Sequence, residues 1–258
     1  MLNHDDRVRQ EFARQADTFS ASGAITDVEL TQRFITALGE AARGYVLDVA
    51  CGPGILSAAI AKAAREVVAF DLTPEMLKKA AQRCGEAGVG NVSFREGNAA
   101  ELPFANSTFD AAVTRLSVHH FQRPDRVMSE IFRVLRPGGR LVVADVVTSE
   151  QPAEAELQNA IEVLRDPSHV RMLPGSELTA LVTGGGFAVE ALTSWDKARE
   201  FEEWMGIVND PSRVLPLRPV VRALAACGAS AGMGLRLDGN AIRFVHRWNL
   251  IAARKPAI

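Results

Sequence analysis

Cysteine is scarce in this chain: Cys51, Cys84 and Cys227 are the three in 258 residues, an odd number and far apart. None has a second Cys or a His at metal-ligand spacing, so neither a disulfide framework nor a structural zinc is expected. Charge of one sign is also missing. Lys and Arg number 29 against 31 Asp and Glu, interspersed, for a formal net charge of −2. Without a basic face there is nothing to hold a polyphosphate strand by counterion release, and nucleic acid is not an expected partner. No apolar run approaches the roughly 18 residues of a membrane span, and Met1 to Gln10 is charged. The expectation is a cytoplasmic protein without a membrane span.

The chain has 47% hydrophobic and 23% charged residues, enough to bury a sizeable core as one structural domain. From Tyr45 to about Val147, short apolar runs alternate with segments of helical period, the pattern of βα units feeding a parallel sheet. The expected strands are Tyr45 to Ala50, Glu66 to Phe70, Val92 to Glu96, Phe109 to Leu116 and Arg140 to Val147. Each ends at a loop rich in Gly, Asp, Asn or His, and ligands belong at such carboxyl ends. Pro74 to Gly85 and Pro124 to Arg136 each carry one apolar stripe, with Pro at the first turn and Gly85 or Pro137-Gly138-Gly139 as stops. Residues 1–43 hold two helical patterns and read as an N-terminal helical cap on a core of residues 44–150. In residues 151–258 further helices and strands from Phe187 to Thr193 and Ile242 to Ala252 are expected, with lid insertions at about 152–176 and 195–240.

The most informative stretch is Val46-Leu47-Asp48-Val49-Ala50-Cys51-Gly52-Pro53-Gly54, a buried strand entering a tight turn and then an Ala-rich helix. Two glycines after a strand also fit a plain βα turn. A dinucleotide site needs a third glycine for close helix packing, and Ser57 stands there, which argues against NAD or FAD. Asp48 would repel a pyrophosphate but favour an amino group or sulfonium. Asp71 ends the second strand 17 residues after Gly54, where a carboxylate can accept both hydroxyl protons of an unphosphorylated ribose. Asn98 follows the third strand with an amide that can donate and accept toward an adenine edge.

Asp48 to Gly54, Asp71, Asn98 to Phe104 and Arg136 to Gly139 together resemble the successive motifs of class I S-adenosylmethionine-dependent methyltransferases, in particular the ubiquinone/menaquinone-biosynthesis-like (UbiE-like) subgroup. The resemblance is strong over about residues 30–147. It implies a Rossmann-like α/β fold: a doubly wound, mostly parallel seven-stranded sheet with helices on both faces and a helical insertion before the last strand. It also implies S-adenosylmethionine as cofactor. Asp48, Ala50, Cys51, Gly52 and Gly54 would line its methionine part, Asp71 would bind the ribose, and Leu72 and Met76 would flank it. Asn98 and Ala99 would meet adenine, with Arg115 and Leu116 on the cofactor side. Asn98 replaces a common Asp, and Thr114-Arg115 stands where Cys-Arg is frequent. Asp71 could instead cap the helix at Pro74, Leu72 and Met76 could be core, and Cys51 fits a small buried side chain better than a nucleophile.

Methyl transfer from a sulfonium is an in-line displacement, so a protein mainly aligns two reactants and excludes water. If the acceptor must lose a proton, His119, His120, His169 and Asp145 are the candidate catalytic groups. Adjacent histidines are also common packing groups. The run Arg165-Asp166-Pro167-Ser168-His169 resembles one in relatives of the subgroup and is expected near the acceptor, the alternative being a capped surface loop. Phe12 to Ser22 resembles the subgroup's gate segment, with Phe19 where Tyr is frequent. Trp195, Trp204 and Met205 could wall an apolar acceptor or serve as core. The absence of an Asn-Pro-Pro-Tyr type motif after the fourth strand favours a small-molecule acceptor over protein or RNA. A cofactor-binding cyclase or regulator that transfers no methyl is the alternative, and a homodimer stays open.

Overall fold

The computed structural model describes residues 3–23 and 25–257. The chain runs α1 (His4–Ala21), α2 (Val28–Leu38), β1 (Tyr45–Val49), α3 (Ile55–Ala61), β2 (Glu66–Asp71), α4 (Pro74–Glu86), β3 (Val92–Glu96), β4 (Phe109–Arg115) and α5 (Pro124–Val134). There follow β5 (Leu135–Val147), α6 (Pro152–Arg165), α7 (Gly175–Gly184), β6 (Ala188–Glu200), α8 (Phe201–Val208), α9 (Pro211–Ala226), β7 (Arg236–Asp238) and β8 (Ala241–Arg254). Local chemistry explains most boundaries. The Asn3 and Asp27 side chains accept backbone N–H groups at the starts of α1 and α2. Proline occupies the first turn of α4, α5, α6 and α9, where its missing N–H costs nothing.

The strands form one sheet in the order β3-β2-β1-β4-β5-β8-β6, with β7 paired to the far part of β8. β1 to β5 pair in parallel, and β8 is antiparallel to both β5 and β6. The chain winds outward from β1 through β2 to β3, then returns to β4 on the other side. That reversal opens a crevice at the carboxyl ends of β1 and β4, where a ligand can enter between the diverging loops. Phe34 of α2, fully buried, belongs with Val46, Ile60, Val113 and Val142 to the core on one face; Ile131 of α5, Leu141 and Val182 pack on the other. Burying a side chain of this size contributes about 1.5–3 kcal/mol. A third, smaller core joins α6, α8 and α9 around Phe201, Trp204 and Phe244.

Three expectations are corrected. The sheet has eight strands among the described residues, because the short β7 adds to the start of β8 on the edge opposite β6. β5 begins at Leu135, not Arg140: Leu135 pairs with Phe109 across an irregular step, and Gly138 and Gly139 exchange backbone hydrogen bonds with Lys255. The insertion begins after Glu200, since Trp195 to Glu200 continue β6 against β8. Trp195 stacks on its cross-strand partner Trp248 (5.7 Å between ring centres), and Asp196 accepts two hydrogen bonds from Arg247. Such cross-strand pairs sustain a strand whose own sequence lacks apolar alternation. No helix among the described residues is long and apolar enough to cross a membrane.

Candidate functional site

At the crevice, β1 delivers Asp48 and then turns through Ala50, Cys51 and Gly52. Ala50 has φ +54°, as does Leu116 just after the neighbouring β4. A left-handed conformation costs a non-glycine residue about 1–2 kcal/mol. Two such residues on adjacent strand ends mark backbone held for a purpose other than stability. Gly52 also has a positive φ, +52°, and a side chain there would extend into open space. Its N–H donates to Asp71 Oδ2 at 2.8 Å, and Thr73 N–H donates to Asp71 Oδ1 at 2.9 Å. The end of β2 thereby ties the glycine bend to the start of α4.

A cavity opens over this bend. Its walls include Asp48, Ala50, Cys51, Gly52, Asp71, Leu72, Met76, Asn98, Ala99, Arg115 and Leu116, so eleven of the twelve sequence-predicted cofactor residues meet there. Gly54 does not. It starts α3 with φ +71° where a Cβ would lie 2.7 Å from Ala80 Cβ, so it is the point of closest approach between α3 and α4. Ser57 does more than replace a glycine: its hydroxyl donates to Asp48 Oδ2 at 2.5 Å.

Both carboxylates are buried. Burial pushes Asp48 up to about 7, against the Ser57 hydrogen bond and the Arg115 charge. Burial likewise raises Asp71 to about 6, opposed by the N–H groups of Thr73 and Gly52. Burial lowers Arg115 to about 10, and its guanidinium donates to the Ile25 carbonyl. The Cys51 thiol is pushed well up by burial and by Asp71 and Asp48, which leaves it a poor nucleophile.

α1 covers the cavity with Val8, Phe12 and Phe19. It is held down by His4 Nε2 donating to the His120 carbonyl (2.8 Å), by Asp5 accepting from Asn98 Nδ2 (2.7 Å) and by Gln15 donating to Asp166 (2.9 Å). The predicted gate segment thus lies over the crevice. Asn98, engaged with Asp5 and with the Ala100 N–H, is exposed.

A second cavity adjoins the first and shares Phe12, Phe19, Leu116 and His120 with it. His119, His169, Glu162, Arg165, Asp166, Arg199, His246, Trp204 and Trp248 complete much of its wall. The Arg165 to His169 run is placed here by the turn after α6: Ser168 donates to Asp166, and the Val170 N–H donates to the His119 carbonyl at 2.8 Å. His119 Nδ1 lies 2.6 Å from Asp145 Oδ1. Asp145 also accepts the N–H groups of Val118 and Val146, which gives it the acceptor role and makes Nδ1 the donor. Burial works to lower His119, but Asp145 prevails and raises it. Burial and the His119 charge lower His120 to about 4, and burial with both neighbours keeps His169 well below its ordinary value. Trp204 lines this cavity, Met205 is core beside it, and Trp195 lies away on the sheet.

Glu162, Arg199 and His246 are wall residues that the sequence reading missed. One signal was available for His246: it alternates with Ile242, Phe244 and Trp248, all buried, so period two turns it inward. Glu162 and Arg199 carry no comparable signal, because a charged residue in a helix or edge strand is ordinarily solvated.

Comparison with known proteins fits this architecture. Residues 47–143 match the family model for a methyltransferase domain. The chain is 30% identical over 194 residues to the uncharacterized methyltransferase YcgJ of Bacillus subtilis (strain 168), spanning 75% of this chain and 77% of that protein. The solved YcgJ structure superposes with a TM-score of 0.81, covering 88% of this chain and 98% of that one. The protein YafE of Escherichia coli (strain K12) is 32% identical over 67% of this chain and 84% of its own length. A demethylmenaquinone methyltransferase of Renibacterium salmoninarum is 33% identical over 54% of this chain and 59% of its own length.

Proposed function

This chain belongs to the class I methyltransferase family, and on that premise we propose that it binds S-adenosylmethionine over the Gly52 bend and methylates a small molecule seated in the histidine-lined cavity. The observation that carries the reading is the bend itself. Gly52 leaves open space where any side chain would intrude, and two buried carboxylates, Asp48 and Asp71, flank it. A buried carboxylate is costly even when hydrogen-bonded, as Asp48 is by Ser57 and Asp71 by two backbone N–H groups, so two in one cavity wall suit a cationic, hydroxyl-bearing ligand. When bound, S-adenosylmethionine supplies an electrophilic methyl group on a sulfonium.

The chain's own residues position and enclose the reactants. Asp48 faces the cationic amino-acid end, with Ser57 fixing its carboxylate. Asp71, already oriented by two backbone N–H groups, accepts from the ribose hydroxyls. Leu72, Met76 and Ala99 supply apolar walls, and Asn98 borders the base. α1 seals the crevice and keeps water from the acceptor, whose cavity meets the cofactor cavity at Leu116 and His120. His119, oriented by Asp145, stands ready to accept a proton from an acceptor that must lose one.

Isothermal titration with S-adenosylmethionine and S-adenosylhomocysteine tests the reading. Dissociation constants in the micromolar range, about −8 kcal/mol, are expected; no heat from either at high micromolar concentration refutes it. Incubation with candidate acceptors and mass analysis, looking for the gain of one methyl, separates a transferase from a cyclase or regulator of the same fold.

Affinity should also depend on pH. Asp48 and Asp71 sit above their ordinary value near 3.8, at about 7 and about 6. Folding therefore takes up protons between about pH 4 and 7, and these two groups stabilise the unliganded chain less as pH rises through that window. A cationic ligand needs the charged forms, so affinity should rise toward pH 7 and level off above, by up to about tenfold per pH unit for each carboxylate that must ionise. A flat profile between about pH 5 and 8 would remove Asp48 from the cationic contact.

A further inference from the structure

We propose that His119, His120 and His169 form a mononuclear site for a divalent first-row transition-metal ion such as Zn²⁺, with an open coordination position facing the acceptor cavity. The chain has five histidines. These three come from the turn after β4 and the turn after α6, and each offers a ring nitrogen such that the three lie within 4.8 Å of one another. The His119 and His169 side chains are only 7% and 6% exposed. Ring centres are 4.3 Å apart for His119 and His120, and 4.6 Å from each of these to His169.

The hydrogen bonds around the trio select the right tautomers. His119 Nδ1 donates to Asp145, and His120 Nδ1 faces the Ser168 carbonyl at 3.1 Å, an acceptor only. Both rings therefore keep Nε2 as a free lone pair; an ion on His119 Nε2 would stand where a proton would otherwise go, so with metal bound an acceptor would lose its proton through polarisation by the ion and not to His119. A carboxylate or carbonyl behind a ligating imidazole is the usual outer support of a metal site. His169 Nδ1 has no hydrogen-bond partner; Glu162 Oε2, 3.8 Å away, is ion-paired with Arg165 Nη1 at 3.5 Å. A buried imidazole nitrogen left without a hydrogen bond asks for a partner. Three imidazoles suit zinc, cobalt or iron(II), and not magnesium or calcium, which prefer oxygen. Metal–nitrogen bonds of about 2.0–2.1 Å in a tetrahedron put nitrogens roughly 3.3 Å apart, so binding requires nitrogens that lie within 4.8 Å of one another to close by at most about 1.5 Å. Three protein ligands leave a fourth position for an oxygen or nitrogen atom of the acceptor.

The test uses the full-length chain without an added histidine tag, stripped with a chelator and titrated with Zn²⁺ against a chromophoric competitor. One equivalent should bind, and Co²⁺ in its place should give the visible bands of a low-coordinate, nitrogen-ligated ion. His169→Ala should weaken Zn²⁺ by more than about 100-fold, and Asp145→Asn by roughly 10–100-fold as an outer support. Cys227→Ser, exposed and outside both cavities, should leave affinity unchanged. Circular dichroism checks the fold, and His169→Gln, closer in volume, carries the same expectation if the alanine variant unfolds. No Zn²⁺ uptake by the parent chain, or uptake indifferent to both His169 variants, overturns the site. Titration with S-adenosylhomocysteine reports separately on the cofactor reading, so the two can fail independently.

Discussion

Asp71→Ala is expected to weaken S-adenosylmethionine binding by about 100-fold or more, roughly 3 kcal/mol. Each hydrogen bond to a charged group is worth about 1.5–3 kcal/mol, and a ribose brings two hydroxyls to one carboxylate. The loss is larger than a contact count suggests, because the same oxygens accept the N–H groups of Gly52 and Thr73. Removing them frees the glycine bend from the end of β2 and softens the site before ligand arrives. Asp71→Asn separates the two effects: it keeps one acceptor oxygen for the backbone but turns a donor toward the sugar or the loop. Titration calorimetry with urea unfolding alongside measures both. Binding by Asp71→Ala within about threefold of the parent, under 1 kcal/mol, would take the ribose away from this residue.

Gly54→Ala should cost the fold about 2–5 kcal/mol, the sum of about 1–2 for an L residue at positive φ and about 1–3 for overpacking. At φ +71° the added Cβ would sit 2.7 Å from Ala80 Cβ and 2.8 Å from Ala80 Cα. The second of these is backbone, so rotating a side chain cannot relieve it, and α3 and α4 must move apart. Gly52→Ala is the contrasting case. Its φ of +52° carries a similar backbone cost, but nothing lies within 4 Å of the new Cβ. It should lose only about 1–2 kcal/mol of stability while obstructing the cavity. Urea midpoints and cofactor titration of both variants separate a packing glycine from a cavity glycine; equal stability losses with equal binding would contradict the distinction.

That contrast shows where reading the sequence runs out. Gly52 and Gly54 look alike in a strand-turn-helix motif, and the motif points both at the cofactor. Only the crossing of α3 and α4 shows that one faces open space and the other faces Ala80. Ser57 told from sequence that a dinucleotide site is absent, but its hydrogen bond to Asp48 depends on the helix phase after the turn. The parallel half of the sheet was legible because its strands are buried on both faces and read as continuous apolar runs ended by Gly, Asp and Pro. The antiparallel end was less so: the second half of β6 is polar, and its pairing with β8 rests on cross-strand partners about 50 residues away.

By itself the sequence determined the βα rhythm, the glycine bend between Asp48 and Asp71, and the family to which those motifs belong, since each depends on residues close together in the chain. Tertiary structure alone decided what fills the space beyond the bend. His119 and His120 meet His169 and His246 only because β4, β8 and the turn after α6 converge behind α1. A polar residue in a short segment carries no mark of the distant element it will face; its chemistry is set by neighbours that folding brings and by the water that packing removes.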